Sequence, residues 1–151
     1  QVKVIQESNS VDAASELSEL TGVSLDVCKS VLAGDEDSWL TSCLKFFDSP
    51  YGTPGEPCPI PFTACVHCEN AVFTARKLPN LLRYRAWLSK RRAVCSDIEW
   101  QSLYAPTLAR IDHQILPRFT PEQIAAAQTI VAEDPDSGPP FIPVEIREAS
   151  F

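Results

Sequence analysis

The chain has 151 residues, a formal charge of −7, 44% apolar and 22% charged residues. That length suffices for one domain or two small subdomains around a real core, and the composition excludes global disorder. No apolar run approaches the roughly 20 residues that span a bilayer, and the opening "QVKVIQESNS" lacks the basic-then-apolar pattern of a signal peptide, so the expected setting is cytoplasmic, away from membranes. The negative total also excludes a protein that grips nucleic acid with its whole surface, because phosphate binding is chiefly the work of Lys and Arg. With Gln at its start and no Met, the chain reads as part of something larger.

Residues 1–9 read as an extension and 10–132 as a helical domain. Ser10 is placed to cap a first helix in which Val11, Ala14, Leu17 and Leu20 recur at helical spacing, with Gly22 as its stop. Ser24 is placed to cap a second, with Leu25, Val27, Cys28, Val31 and Leu32 on its apolar side and Gly34 at its end. The acidic run Asp35, Glu36, Asp37 suits the start of a third helix over "SWLTSCLKFF", stopping before Pro50. Residues 48–62, "DSPYGTPGEPCPIPF", hold five of the thirteen prolines and two glycines and must be an irregular loop. A loop of that length inside a compact domain usually needs a tie.

Helical spacing returns with Leu78, Leu81, Leu82, Arg85 and Leu88. Ser96 with Glu99 forms a capping-box signal before Trp100, Leu103 and Tyr104, and Pro106 breaks or kinks that helix while Leu108, Ile111 and Ile115 carry its face on to Pro117. Thr120, Pro121 and Gln123 start the last helix, "EQIAAAQTIVA". Residues 133–151 form a Pro-rich tail in which Ile142, Val144 and Ile146 alternate as a strand does; Val2 and Val4 alternate too, so a short two-strand ribbon joining the two ends is a further expectation. The fold class is mainly α: a small multi-helix domain with a tied Pro-rich loop.

The cysteines are the candidates for the tie. Cys65-x-x-Cys68 has the spacing of a metal knuckle, Cys58 lies in the proline-rich loop, and Cys43 stands just before it. Four thiolates satisfy tetrahedral zinc, and such a closed site contributes folding energy rather than chemistry. His67 competes with Cys43 as fourth ligand, but inside the two-residue gap its side chain diverges from the flanking thiolates. Cys28 and Cys95 sit in apolar helical patterns and read as inert, buried thiols. Three other readings of the loop cysteines stay open: a redox pair, which wants a strand leading into a helix where prolines stand here; disulfides, which want an oxidising compartment; and simple packing.

Charge is unevenly spread. Arg76, Lys77, Arg83, Arg85, Lys90, Arg91 and Arg92 make up seven of the thirteen basic residues and fall between 76 and 92 without an acid, whereas residues 1–42 carry eight acids and two lysines. With Tyr84 and Trp87 interleaved, 76–92 is a candidate contact surface for a nucleic-acid backbone or an acidic protein, or else a solvated arginine face. "AASELSELTGVSLDVCKSVLAGD" has the outline of a helix–turn–helix, but Asp26, Glu16 and Glu19 beside a single Lys29 suit a packing hairpin better than a polyanion. No catalytic constellation is visible: His67 and His113 are the only imidazoles, and no Gly-x-Ser-x-Gly, His-Glu-x-x-His or phosphate-loop pattern occurs.

"SWLTSCLKFFDSPYGTPGEPCPIPFTACVHCENAVFTARKLPNLL" resembles the cysteine-bearing segment that follows the catalytic domain in large tyrosine recombinases, phage-integrase-like proteins of actinobacterial type. There a Cys, a Ser-Pro-aromatic-Gly loop, another Cys, a C-x-x-C and a "hLPxLL" helix come in this order. The likeness covers about residues 24–130, most specifically 38–82. None of the catalytic Arg/Lys/His/Arg/His-or-Trp set or the nucleophilic Tyr of that family carries over, since neither His67 nor His113 begins a His-x-x-Arg; Asn70 and Leu116 stand where the Arg would be. The resemblance implies a non-catalytic accessory domain whose cysteines bind zinc and which touches DNA or neighbouring protomers. Two alternatives remain: a stand-alone helix–turn–helix regulator using residues 13–33, and a protein-interaction module whose basic helix binds an acidic partner.

Overall fold

The structure is a computed structural model that describes residues 2–6, 12–35, 37–59 and 62–134. The chain is mainly α and divides into two compact units, Gln1–Lys77 and Leu78–Phe151, so the boundary falls inside the span 10–132 read above as one domain. Among the described residues no helix is long and apolar enough to cross a membrane.

The first unit has a three-stranded sheet backed by a helical hairpin. Strand β1 (Lys3–Ile5) runs parallel to β3 (Ala71–Thr74), with Val4 opposite Phe73, and β2 (Ser42–Cys43) runs antiparallel to β3, with Cys43 opposite Ala71, in the order β1-β3-β2. Parallel neighbours need a long crossover, and helices α1 (Ala13–Thr21) and α2 (Leu25–Ala33) lie within it. Ile5, Ala13, Ala14, Leu17, Cys28, Val31, Leu32, Leu44 and Val72 form one core. The expected N-terminal strand is present, but its partner is β3; residues 142–146 lie outside the described residues.

Local signals set the hairpin. Gly22 and Gly34 end the two helices in left-handed conformation at φ 73° and 91°, and the Ser24 hydroxyl accepts the Val27 N–H. The first helix starts after Asp12, while the expected cap Ser10 and Val11 are outside the described residues. Starting α2 from Ser24 turns Cys28, Val31 and Leu32 inward, which leaves Leu25 and Val27, expected in the core, exposed; Leu20 of α1 is exposed as well.

The third helix expected over 38–47 does not form. Ser38 Oγ instead accepts the N–H groups of Leu40 and Thr41, at 3.1 and 3.0 Å, and the chain turns into a bridge between Asp37 and Ser42 and then into β2. Trp39, Leu40, Thr41, Ser42 and Leu44 are all buried, a continuous run with no helical periodicity.

The second unit is helical throughout its described part. Helix α3 (Leu78–Val94) buries Leu78, Leu81, Tyr84 and Leu88, with Leu82 and Arg85 only half-buried at the edge of that face, and it packs on α6 (Pro121–Glu133). Between them the Ser96 side chain caps α4 (Asp97–Glu99) by accepting the Glu99 N–H. The helix then widens into π turns at Trp100–Tyr104 and at Ile111–Ile115, flanking α5 (Ala105–Arg110). Each π turn lies just upstream of a proline, Pro106 or Pro117. Proline lacks an N–H and crowds the carbonyl four residues back, and the wider turn accommodates both faults without breaking the helix. Ile111, Ile115 and Phe119 stay buried across the junctions. At α6, Thr120 and Gln123 form the expected reciprocal capping box with Pro121 in the first turn.

Candidate metal centre

Cys43, Cys58, Cys65 and Cys68 line a single cavity of about 40 Å3 in the first unit, together with Ser38, Thr41, Phe46, Ser49, Tyr51, Ala64, Asn70 and Ala71. Water needs about 10–15 Å3 of such space, so the cavity is wide enough for a few waters or an ion. Four local structures bring the sulfurs there. Cys43 ends β2; Cys58 comes from the Pro-rich loop; Cys65 rides on a 3-10 helix (Phe62–His67); and Cys68 follows in the turn before β3, where its N–H donates to the Cys65 carbonyl. His67 is exposed and absent from the lining, so of the two candidates for fourth ligand only Cys43 faces the cavity.

The described part of the Pro-rich loop is irregular, as its composition requires, and is held at its start. The Asn70 side-chain amide donates to the carbonyls of Lys45 and Asp48, both at 3.4 Å, and the Gly55 N–H donates to the Phe47 carbonyl at 2.8 Å. Gly52 is needed for close approach: a Cβ there would lie 2.8 Å from the Pro59 ring.

Each of the four sulfurs has a hydrogen-bond partner. The backbone N–H two residues on donates to Cys68, from Asn70 at 3.4 Å, and likewise to Cys43, from Lys45. The Ser49 hydroxyl donates to Cys58 at 3.2 Å, whereas the Cys65 thiol itself donates to Ser38 Oγ at 3.5 Å. The donors at Cys43, Cys58 and Cys68 favour thiolates, the form that binds metals. Burial works the other way: it pushes the Cys43 thiol up to about 11, helped by the neighbouring sulfurs, and raises the Cys65 thiol too. The Tyr51 hydroxyl is raised for the same two reasons. Among the described residues, no group of three or more His, Cys, Asp or Glu side chains is arranged to hold a metal ion, so the thiols line the cavity without converging on one point. The donor set itself, four sulfurs lining one small cavity, has the chemistry that suits a soft tetrahedral cation.

Cys28 is buried, as expected, with its thiol directed at the Val23 carbonyl and its pKa raised by burial. Cys95 is only half-buried, because it falls one residue beyond α3 rather than on its apolar face. The Cys65-x-x-Cys68 pair lacks the setting of a redox motif: a 3-10 helix precedes a strand there, and burial raises the Cys65 thiol where a redox cysteine needs it lowered.

Most of the basic residues of 76–92 have partners within the chain. Arg76 bonds the Asp37 carboxylate, Ser42 Oγ at 3.0 Å and the Leu32 carbonyl at the end of α2, while Lys77 Nζ lies 3.3 Å from Asp37 and donates to the Ser38 carbonyl at 2.9 Å. These contacts outweigh burial and hold the Asp37 carboxyl below the usual range. In the second unit Arg83 donates to Asn80 and to the Asp134 carbonyl, and Arg85 pairs with Asp112 at 2.5 Å. Arg91 lies over the Trp87 and Tyr104 rings and Arg92 over Trp100, at 5.1 to 5.8 Å. Tyr84 stacks on Trp87 at 5.9 Å and is buried. Lys90 is exposed.

Sequence reasoning placed the four cysteines but not the polar groups around them. Ser38, Ser49 and Asn70 carry no motif; Ser49 ahead of Pro50 was the one local hint, since serine before a turn often bonds its own backbone. No protein-family model, no curated protein and no solved structure matches the chain.

Proposed function

We propose that Cys43, Cys58, Cys65 and Cys68 close on one structural zinc ion, and that the chain is a non-catalytic accessory module of an integrase-like DNA recombinase, acting through contacts with other protomers. The observation that carries the metal reading is the gathering of these four thiols, separated by up to 25 positions in sequence, around one small cavity with a polar partner for each sulfur. When bound, zinc supplies a tetrahedral tie whose binding energy is folding energy. The chain's own residues bring the Pro-rich loop, the C-x-x-C turn and the end of β2 within its reach.

The recombinase setting is supported by the order of cysteines, the Ser-Pro-Tyr-Gly loop and the "KLPNLL" helix start in residues 38–82. Protomer contacts are preferred over the DNA backbone because six of the seven basic residues in 76–92 already serve partners within the chain. A reducing, cytoplasmic setting suits thiols kept for a metal.

The test is elemental mass spectrometry on protein purified without added metal or chelator. Near one zinc per chain is the expected result. A folded protein with no metal would demote the four cysteines to packing and remove the main support for the recombinase resemblance.

A further inference from the structure

The Cys58 sulfur has a side-chain donor that a backbone amide holds in place. Ser49 Oγ accepts the Tyr51 N–H at 3.0 Å and donates to Cys58 Sγ at 3.2 Å. A hydroxyl has a single proton, and here the sulfur receives it while the amide fills one of the two acceptor sites of the oxygen. Ser49 is 7% exposed, so water does not compete freely for it. Ser38, beside Cys65, is different: it accepts from Leu40 and Thr41, and its proton has the Thr41 carbonyl and hydroxyl within 3.3 Å as rival acceptors. Like Cys68, Cys58 lies outside strand and helix, and it is carried by the Pro-rich loop.

We propose that Ser49 is a positioning residue for the metal site: its hydroxyl, oriented by the Tyr51 amide, fixes the Cys58 sulfur and withdraws charge from it when it serves as a ligand. This rests on the zinc reading. Four thiolates on a divalent cation leave a net charge of about −2, and outer-shell donors spread that charge while holding the ligand rotamer. Loss of such a partner typically lowers metal affinity about 10–100-fold.

The test uses the full chain loaded with Co2+, read by its sulfur-to-cobalt charge-transfer absorption, together with zinc affinity by competition against a chromophoric chelator. Ser49→Ala is expected to weaken zinc binding about 10–100-fold. It should also move the charge-transfer band to longer wavelength, because a sulfur stripped of its donor gives up electrons more easily. Ser49→Thr, which keeps the hydroxyl, should restore both readouts, and Ser49→Val, with the shape of Thr and no hydroxyl, should not. Should Ala and Val fail to take up metal while Thr binds like the parent, the hydroxyl is again the required group. An Ala variant with unchanged band and affinity overturns the role of Ser49 while leaving the metal site standing. Absence of any thiolate band in the parent chain removes the metal site, and Ser49's role with it.

Discussion

Cysteine residues of the same type have different consequences here according to what surrounds them. Cys58→Ser is expected to bring zinc well below one per chain, whereas Cys28→Ala should leave the metal content unchanged and cost about 1 kcal/mol through the small cavity it opens; metal analysis beside a denaturant midpoint separates the two. Acid–base behaviour provides a second check. Burial raises the Cys43 thiol from 9.0 to about 11, so the folded, metal-free chain holds a proton that the unfolded chain has lost between those values. Its stability is therefore expected to fall as pH rises from 9 towards 11. The zinc-loaded chain should behave in the opposite sense and lose stability in acid, where protons compete for the sulfurs. Melting curves with chelator from pH 9 to 11, and without it from neutral pH into acid, would show both trends.

At the scale of elements, the clearest comparison is between the two helix-ending glycines. Both have positive φ, at 73° for Gly22 and 91° for Gly34, so an alanine is strained at either by about 1 kcal/mol. A Cβ at Gly22 meets nothing within 4 Å, while at Gly34 it lies 3.1 Å from Arg76 and 3.2 Å from Asp37. Gly34→Ala is therefore expected to cost more than Gly22→Ala, by disturbing the Arg76–Asp37 pair that joins the end of α2 to the chain after β3; equal midpoints in urea would contradict this. The same cluster bears on the third helix that did not form. The acids meant to start it include Asp37, which Arg76 and Lys77 recruit from nearly forty residues away, while Ser42 and Cys43 pair with β3.

For the whole molecule, two units with separate cores predict separate responses to metal removal. Chelation should accelerate amide exchange in residues 38–74, where the cysteines, β2 and β3 lie, and leave α3 and α6 protected, because their packing uses no cysteine at the cavity. Uniform loosening of both units would contradict this. Six of the seven basic residues of 76–92 also have partners within their own unit. Arg83→Glu with Arg85→Glu should lower the melting temperature modestly, the Arg85–Asp112 pair being partly exposed, and leave random-duplex binding and its salt slope nearly unchanged. A flattened slope would return these arginines to a DNA-contacting role.

Sequence alone determined the features that depend on a residue and its near neighbours. Gly22 and Gly34 stop helices because only glycine enters that backbone region cheaply, Ser24, Ser96 and Thr120 start them by accepting an orphan N–H, and the prolines of 48–62 forbid regular structure. The spacing of Cys65 and Cys68, with Cys58 in the loop, likewise marked a shared site from chain geometry alone. Tertiary structure decided what depends on distant segments: β3 as the partner of β1, the strand at Ser42–Cys43 in place of a helix, Cys43 rather than His67 at the cavity, and the pairing of Arg76 and Arg85 with Asp37 and Asp112. Those outcomes turn on hydrogen bonds and charges that meet only after the chain has closed on itself, across separations of 27 to 69 residues, and no periodicity or spacing within a window records them.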